Sequence, residues 1–208
     1  TIIYTMYKSE IRRYKKCANQ IYDKDDFEIS LKQFTTQEEA SNYLKGKQSI
    51  KPTKSNDTLN VFTDGACSHN GSVKAKAGMG VYFSEGDPRN VSKRIVGKQS
   101  NNTGELSAIL EVFTILQSEI QEGKKITIYT DSKYCINSLN VWAIKWEKNN
   151  WTKKGGIQNL DLIKRGYELC KKYKNVSLIH IKAHTGYTDE LSKGNEGADA
   201  LAELSIVG

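Results

Sequence analysis

Asp64 stands where an apolar run gives out in "VFTDGACSHNG" (61–71), and Asp131 does the same in "ITIYTDSKYC" (126–135). If these two runs are parallel neighbouring strands, both carboxylates emerge side by side at the carboxyl ends, where open α/β sheets carry their ligand crevices. Two further acids share a setting with Asp64: Glu105 follows "SNNTG" and Asp199 lies in "GNEGADALAEL". Small residues flank all three (Gly65 and Ala66, Gly104, Gly197 and Ala198), which lets another group approach closely. Taken singly, each acid also has a structural reading. Asp131 precedes a helix and would serve as its N-cap, and Glu105 and Asp199 fall in the first turn or two of their helices, where the dipole favours acids.

Convergence would change the chemistry. Two unit charges about 4 Å apart repel by roughly 4 kcal/mol at an effective dielectric near 20, so protons or cations must offset the cluster. Oxygen-only donors select hard ions, Mg²⁺ or Mn²⁺, which are held by a few carboxylates together with substrate phosphates. Phosphoryl chemistry fits such a site, with two ions about 3.5 to 4 Å apart activating water and stabilising the departing oxygen.

The elements that must position these acids follow from the pattern. Strands are expected at 59–64, 78–84 and 91–98, separated by turn-rich segments and so paired as an antiparallel meander. A helix follows in "GELSAILEVFTILQSEI", where Leu106, Ile109, Leu110, Phe113, Leu116 and Ile120 form one stripe at 3.6-residue spacing and Gly123 ends it. Then come a strand at 125–130, helices at 132–147 and 159–173, a strand at 176–182 and a helix at 195–206. Strands alternating with helices imply right-handed crossovers and parallel pairing. The expected architecture is α/β, a mixed five-stranded sheet flanked by helices over 58–208. A small α+β unit at 1–48 and a polar linker at 49–57 precede it.

The 208 residues carry a net charge of +7, a balance that favours a polyanionic partner without naming one. Cys17, Cys67, Cys135 and Cys170 lack CxxC pairing, which argues against a zinc site or disulfide framework and suits a reducing compartment. No apolar run is long enough to span a membrane, and the first residues carry no export pattern. An intracellular monomer with no membrane partner is the expectation.

"FTDGA", "NNTGELSA", "YTDSKYCIN", "KAHTG" and "GNEGADALA", in that order over about 58–206, resemble the type 1 ribonuclease H family. The resemblance implies a ribonuclease H-like fold and hydrolysis of the RNA strand of RNA/DNA hybrids. It makes Asp64, Glu105, Asp131 and Asp199 ligands of two Mg²⁺ ions, Mn²⁺ being a possible substitute, and His184 a helper to the water or to product release. "WAIKWEKNNWTKK" resembles the family's basic handle, with Trp142, Trp146 and Trp151 beside Lys145, Lys148, Lys153 and Lys154. Between 142 and 165 six basic residues (those four with Lys164 and Arg165) face Glu147 and Asp161, a local charge of +4. Without the resemblance, Trp142 and Trp146 read as core residues. Asn101 and Asn102 correspond to a polar pair that reaches a hybrid's minor groove, where 2′-hydroxyls are displayed. Asn159, with Lys98 and Ser100, corresponds to a pocket gripping a DNA phosphate, although lysine lacks the forked geometry of the arginine frequent there.

Two departures stand out. Fifteen steps separate His184 from Asp199, a longer loop with "TDELSK" as an apparent insertion. In the N-terminal unit, "LKQFTTQEEASNYL" resembles the end of the hybrid-binding domain found in many eukaryotic members, without that domain's glycine- and tryptophan-bearing first half. The alternatives that the motifs leave open are a ribonuclease H domain from a reverse transcriptase polyprotein and a catalytically silent hybrid-binding module.

Overall fold

The computed structural model describes residues 58–183 and 189–207. The expected unit over 1–48, the linker over 49–57 and His184 lie outside the described residues. Five strands form one sheet: β1 (Leu59–Ser68), β2 (Lys76–Tyr82), β3 (Val91–Arg94), β4 (Ile126–Thr130) and β5 (Val176–His180), in spatial order β3-β2-β1-β4-β5. β1/β2 and β2/β3 are antiparallel, whereas β1/β4 and β4/β5 are parallel. The mixed five-stranded sheet is thus as its sequence pattern predicts.

Strand ends differ for local reasons. β1 runs four residues beyond Asp64 because its pairing with β2 continues to Ser68 opposite Lys76, so Asp64 lies inside the strand rather than at its end. β2 stops at Tyr82 where the Asn90 side chain takes over, its Oδ1 accepting from Phe83 N (2.8 Å) and its Nδ2 donating to Ser84 O (2.8 Å). β3 stops at Arg94 because the Gln99 amide replaces the ladder. It accepts from Ala77 N (2.7 Å) and donates to Ile95 O and Gly97 O, next to Gly97 at φ +91°.

Helix α1 (Asn101–Ile115) is capped by Ser100, whose Oγ accepts from Thr103 N at 3.2 Å, and is followed by the short α2 (Gln117–Gln121). All six residues of the expected apolar stripe are buried. The single helix expected at 132–147 is instead three pieces. α3 (Lys133–Asn137) leads into a π-helical turn (Ser138–Trp142) closed by Ala143 N donating to Ser138 O, and α4 (Ala143–Lys148) follows. Widened turns of this kind break the 3.6-residue period, so periodicity over the whole span did not reveal it. α5 (Leu160–Lys172) packs on α1, and α6 (Glu190–Leu204) packs on β1, β2 and β3.

α6 begins five residues before its expected start at 195. Asp189 is its N-cap, with Oδ1 accepting from Ser192 N at 3.0 Å and Oδ2 from the Ser192 hydroxyl at 3.1 Å. Most of the apparent insertion "TDELSK" is therefore a cap and a first helical turn. Phe62 and Gly80 turn to α6, while Gly65 turns to α1, so the sheet carries helices on both faces.

Candidate active site

The parallel ladder between β1 and β4 ends at Thr63 opposite Thr130, one residue short of each aspartate. Asp64, still inside β1, and Asp131, just past β4, consequently stand side by side where the parallel ladder stops, as the parallel pairing predicts. Glu105 joins them from α1. One carboxylate oxygen of each lies within 4.8 Å of the others, a group of the size and chemistry that could hold a metal ion.

What brings Glu105 to the strands is backbone proximity. A Cβ on Gly65 would collide with the Glu105 amide nitrogen and the Gly104 carbonyl carbon, and one on Gly104 would collide with Gly78 O. Gly65 and Gly104 therefore admit neighbouring main chain, and Gly197 admits the ring of Tyr82. Ala198 likewise packs against Gly80, since a Cβ on Gly80 would meet Ala198 O, and this close fit brings α6 and Asp199 down onto the sheet.

The structural readings of the acids fail one by one. Ser132, not Asp131, caps α3, its Oγ accepting from Cys135 N at 3.3 Å. Glu105 is the fifth residue of its helix and Asp199 the tenth of α6, both beyond the first turn, so dipole preference does not place them.

Electrostatics mark the cluster as strained when no cation is bound. Asp64 is only 7% exposed, and burial, then the charge of Asp131, raises its pKa from 3.8 to about 7. Asp199 adds to that rise, while the Gly65 amide, 2.7 Å from Asp64 Oδ1, opposes it. Burial, followed by the charges of Asp64 and Asp131, also pushes Glu105 well above the ordinary carboxylate range. Glu105 Oε1 receives a long contact from Asn101 Nδ2 (3.5 Å), and Oε2 is buried with no hydrogen-bond partner among the described residues. Crowded, under-bonded carboxylate oxygens with no nitrogen or sulfur donor between them fit a hard divalent cation. Asp199 lies outside the group of three, acting on Asp64 from α6.

Asp131 is also held from behind. His180 Nε2 donates to its backbone oxygen at 3.1 Å, and Asn195 Nδ2 donates to its Oδ2 at 3.1 Å. Neither contact was anticipated as part of the site. Asn195 had a legible signal, since it stands four residues before Asp199 and so shares its helix face.

The other expected residues form two groups. Asn159, in left-handed conformation (φ +56°) before α5, donates to Tyr134 OH at 3.3 Å and accepts from Thr103 Oγ1 at 3.4 Å. The hydroxyls of Thr103 and Ser100 are 2.7 Å apart, and exposed Lys98 donates to Gln158 Oε1 at 2.6 Å. Lys98, Ser100 and Asn159 are thus brought together, joined by Thr103, Tyr134 and Gln158, which sequence reasoning missed. Half-buried Asn101 and exposed Asn102 open α1 beside this group.

In the handle, Trp142 and Trp146 lie 5.8 Å apart between ring centroids, and Tyr134 meets Trp142 edge-on at 6.1 Å. Lys153 lies 5.8 Å from the centre of the Trp146 ring and Lys164 5.3 Å from that of Trp151. Trp146 leans on the hydrophobic core, so the core reading holds in part for it, whereas half-buried Trp142 is not among the residues packed there; Trp151 also leans on the core, and all three keep surface exposed. Among the described residues, Cys67, Cys135 and Cys170 are free, and no helix is long and apolar enough to cross a membrane.

A sheet of this order, with acids just past the end of its central parallel ladder, agrees with what comparison finds. The family model described as RNase H matches residues 56–206, and the chain belongs to the type 1 ribonuclease H family. It is 35% identical to Ribonuclease H1 of Mus musculus over 154 residues, covering 70% of this chain and 49% of that protein. It is 43% identical to Ribonuclease H of Schizosaccharomyces pombe over 145 residues, covering 68% of this chain and 50% of that protein. The chain thus spans about half the length of these curated relatives. The solution structure of the PFV RNase H domain superposes with a TM-score of 0.54 at 22% identity, covering 71% of this chain and 93% of that chain, and shares the fold.

Proposed function

We propose that this chain hydrolyses the RNA strand of RNA/DNA hybrids endonucleolytically, leaving 3′-hydroxyl and 5′-phosphate ends. The observation that carries this is the convergence of Asp64, Glu105 and Asp131 from three separate elements, with Asp199 acting on Asp64 from a fourth. These four acids would hold two Mg²⁺ ions, with Mn²⁺ as a substitute. When bound, such ions supply Lewis-acid activation of water and charge neutralisation at the scissile phosphate.

The chain's own groups do the rest. Asp64 and Glu105, buried and mutually repelling, hold their protons more tightly than ordinary carboxylates, and a cation that offsets their charge favours release, so the site is primed for a cationic occupant. Asn159, Thr103 and Ser100 present short hydroxyl and amide groups suited to a DNA phosphate, with Lys98 alongside. Asn101 and Asn102 would face the minor groove and read 2′-hydroxyls, which DNA lacks. Trp142 and Trp146, among lysines, would carry the DNA strand through aromatic contact and phosphate attraction. His184 would assist the water or the departure of product, and the unit over 1–48 would be a divergent hybrid-binding domain.

Incubation of end-labelled hybrid, duplex RNA and duplex DNA with the chain and Mg²⁺ tests the function. Internal cuts confined to the hybrid's RNA strand are expected. An intact RNA strand, or equal attack on duplex DNA, refutes it.

A further inference from the structure

Asn195 lies on α6 one turn before Asp199 and is 3% exposed. Its Nδ2 donates to Asp131 Oδ2 at 3.1 Å. An ionised carboxylate only accepts hydrogen bonds, so the amide must present its NH₂ to Asp131, and that contact dictates its orientation. Oδ1 is then turned away, buried and without a hydrogen-bond partner among the described residues. Leaving a buried acceptor unpaired is unfavourable, and an apolar side chain would fill the same space without that penalty. The gain that offsets it lies at the other end of the amide, on Asp131. The main chain of Asp131 is already fixed from β5 by His180 Nε2 at 3.1 Å, which leaves the carboxylate as the part still free to turn.

We propose that Asn195 is a positioning residue for Asp131: by occupying Oδ2 it fixes the carboxylate rotamer and leaves Oδ1 as the oxygen turned to a divalent cation. The proposal rests on the nuclease function put forward above. Because Asn195 and Asp199 share one helical face, the same contact also ties two acids from β4 and α6 into one unit. Partners of this kind behind a metal ligand typically matter 10- to 100-fold for metal affinity or activity. The tryptophan handle and the Asn159 group lie on other elements, so substrate affinity should not follow.

Two measurements on the full chain test this. By titration calorimetry without nucleic acid, Asn195→Ala should bind Mg²⁺ about tenfold or more weakly. With hybrid, it should show a lower kcat at limiting Mg²⁺, recovery at high Mg²⁺ and an unchanged KM, and Asn195→Gln, which keeps an amide donor, should regain part of the loss. In case the variant does not fold, NMR of the parent supplies a second measurement. One Asn195 Nδ2 proton should be shifted downfield and protected from exchange, and Asp131→Ala should abolish both properties. A parent that cuts hybrid while Asn195→Ala matches it in Mg²⁺ affinity and kcat overturns the positioning role, as does an Asn195 side chain indifferent to Asp131→Ala. A parent whose Mg²⁺ affinity depends on Asn195 but which leaves hybrid intact upholds the positioning role and removes the nuclease function.

Discussion

Asp64 is an acid held where ionisation is difficult, and the sign of the consequence can be worked out. Its folded pKa of about 7 lies above the ordinary value of 3.8, so between those two pH values the folded chain keeps a proton that the unfolded chain releases. Stability of the cation-free protein must therefore fall as pH rises through that window, with Glu105 contributing in the same sense. Asp64→Asn removes the Asp64 share of that slope. In EDTA the variant should melt above the parent by at least about 3 °C at pH 8, and the gap should close toward pH 4.5; parallel Tm curves would contradict it. The same substitution should reduce cleavage to background while hybrid affinity stays near normal in a filter-binding titration, because phosphate contacts lie elsewhere. Acids were legible in the sequence because Asp64, Glu105 and Asp199 each stand beside small residues and Asp131 follows an apolar run of the same design as the one before Asp64. Thr103 and Tyr134 were not, since hydroxyls at such places are ordinary and only three-dimensional contacts give them a role.

Between elements, the site depends on how closely α1 can approach β1 and β2. Gly65 and Gly104 face each other across that contact, and a methyl group on either would push into backbone rather than into a side chain that could move aside. Gly104→Ala should destabilise the chain by about 1 to 3 kcal/mol, in the range of overpacked cores, and should lower kcat because Glu105 is displaced with the helix. Urea unfolding and single-turnover rates measure the two effects, and a variant with native stability and rate would show the contact to be slack. Small residues were visible in the sequence as places of close approach, but what approaches them was not, because nothing local distinguishes room for a ligand from room for another element. Helix boundaries suffered similarly. The cap at Asp189 was hidden inside an apparent loop insertion, and the π-helical turn at Ser138–Trp142 breaks the 3.6-residue period on which a helix reading rests. That turn matters for the handle, since Trp142 closes it and Trp146 leans on the core four residues later. Trp142→Ala with Lys145→Ala should therefore weaken hybrid affinity and flatten its dependence on salt, while leaving Tm within a few degrees of the parent. An unchanged salt slope in fluorescence titrations would remove the handle from the binding surface.

Across the whole molecule, the acids come from β1, α1, the end of β4 and α6, so a cation that links them links elements far apart in sequence. The sheet order was legible because the switch from an antiparallel meander to strand–helix alternation leaves few ways to arrange five strands, and the acids then fall together. A bound cation should act on global stability, since anything that binds only the folded state stabilises it by mass action, about 2.7 kcal/mol at a hundredfold excess over Kd. In a domain of this size that corresponds to a rise in Tm of roughly 5 to 10 °C. The rise should be larger at pH 8 than at pH 5, because at pH 5 the proton on Asp64 competes with the cation for the same oxygens. Calorimetric scans with saturating Mg²⁺ and with EDTA at the two pH values measure this directly. Equal shifts at both pH values would mean that the cation does not displace the Asp64 proton, and a shift that survives Asp64→Asn unchanged would place the ion elsewhere on the protein.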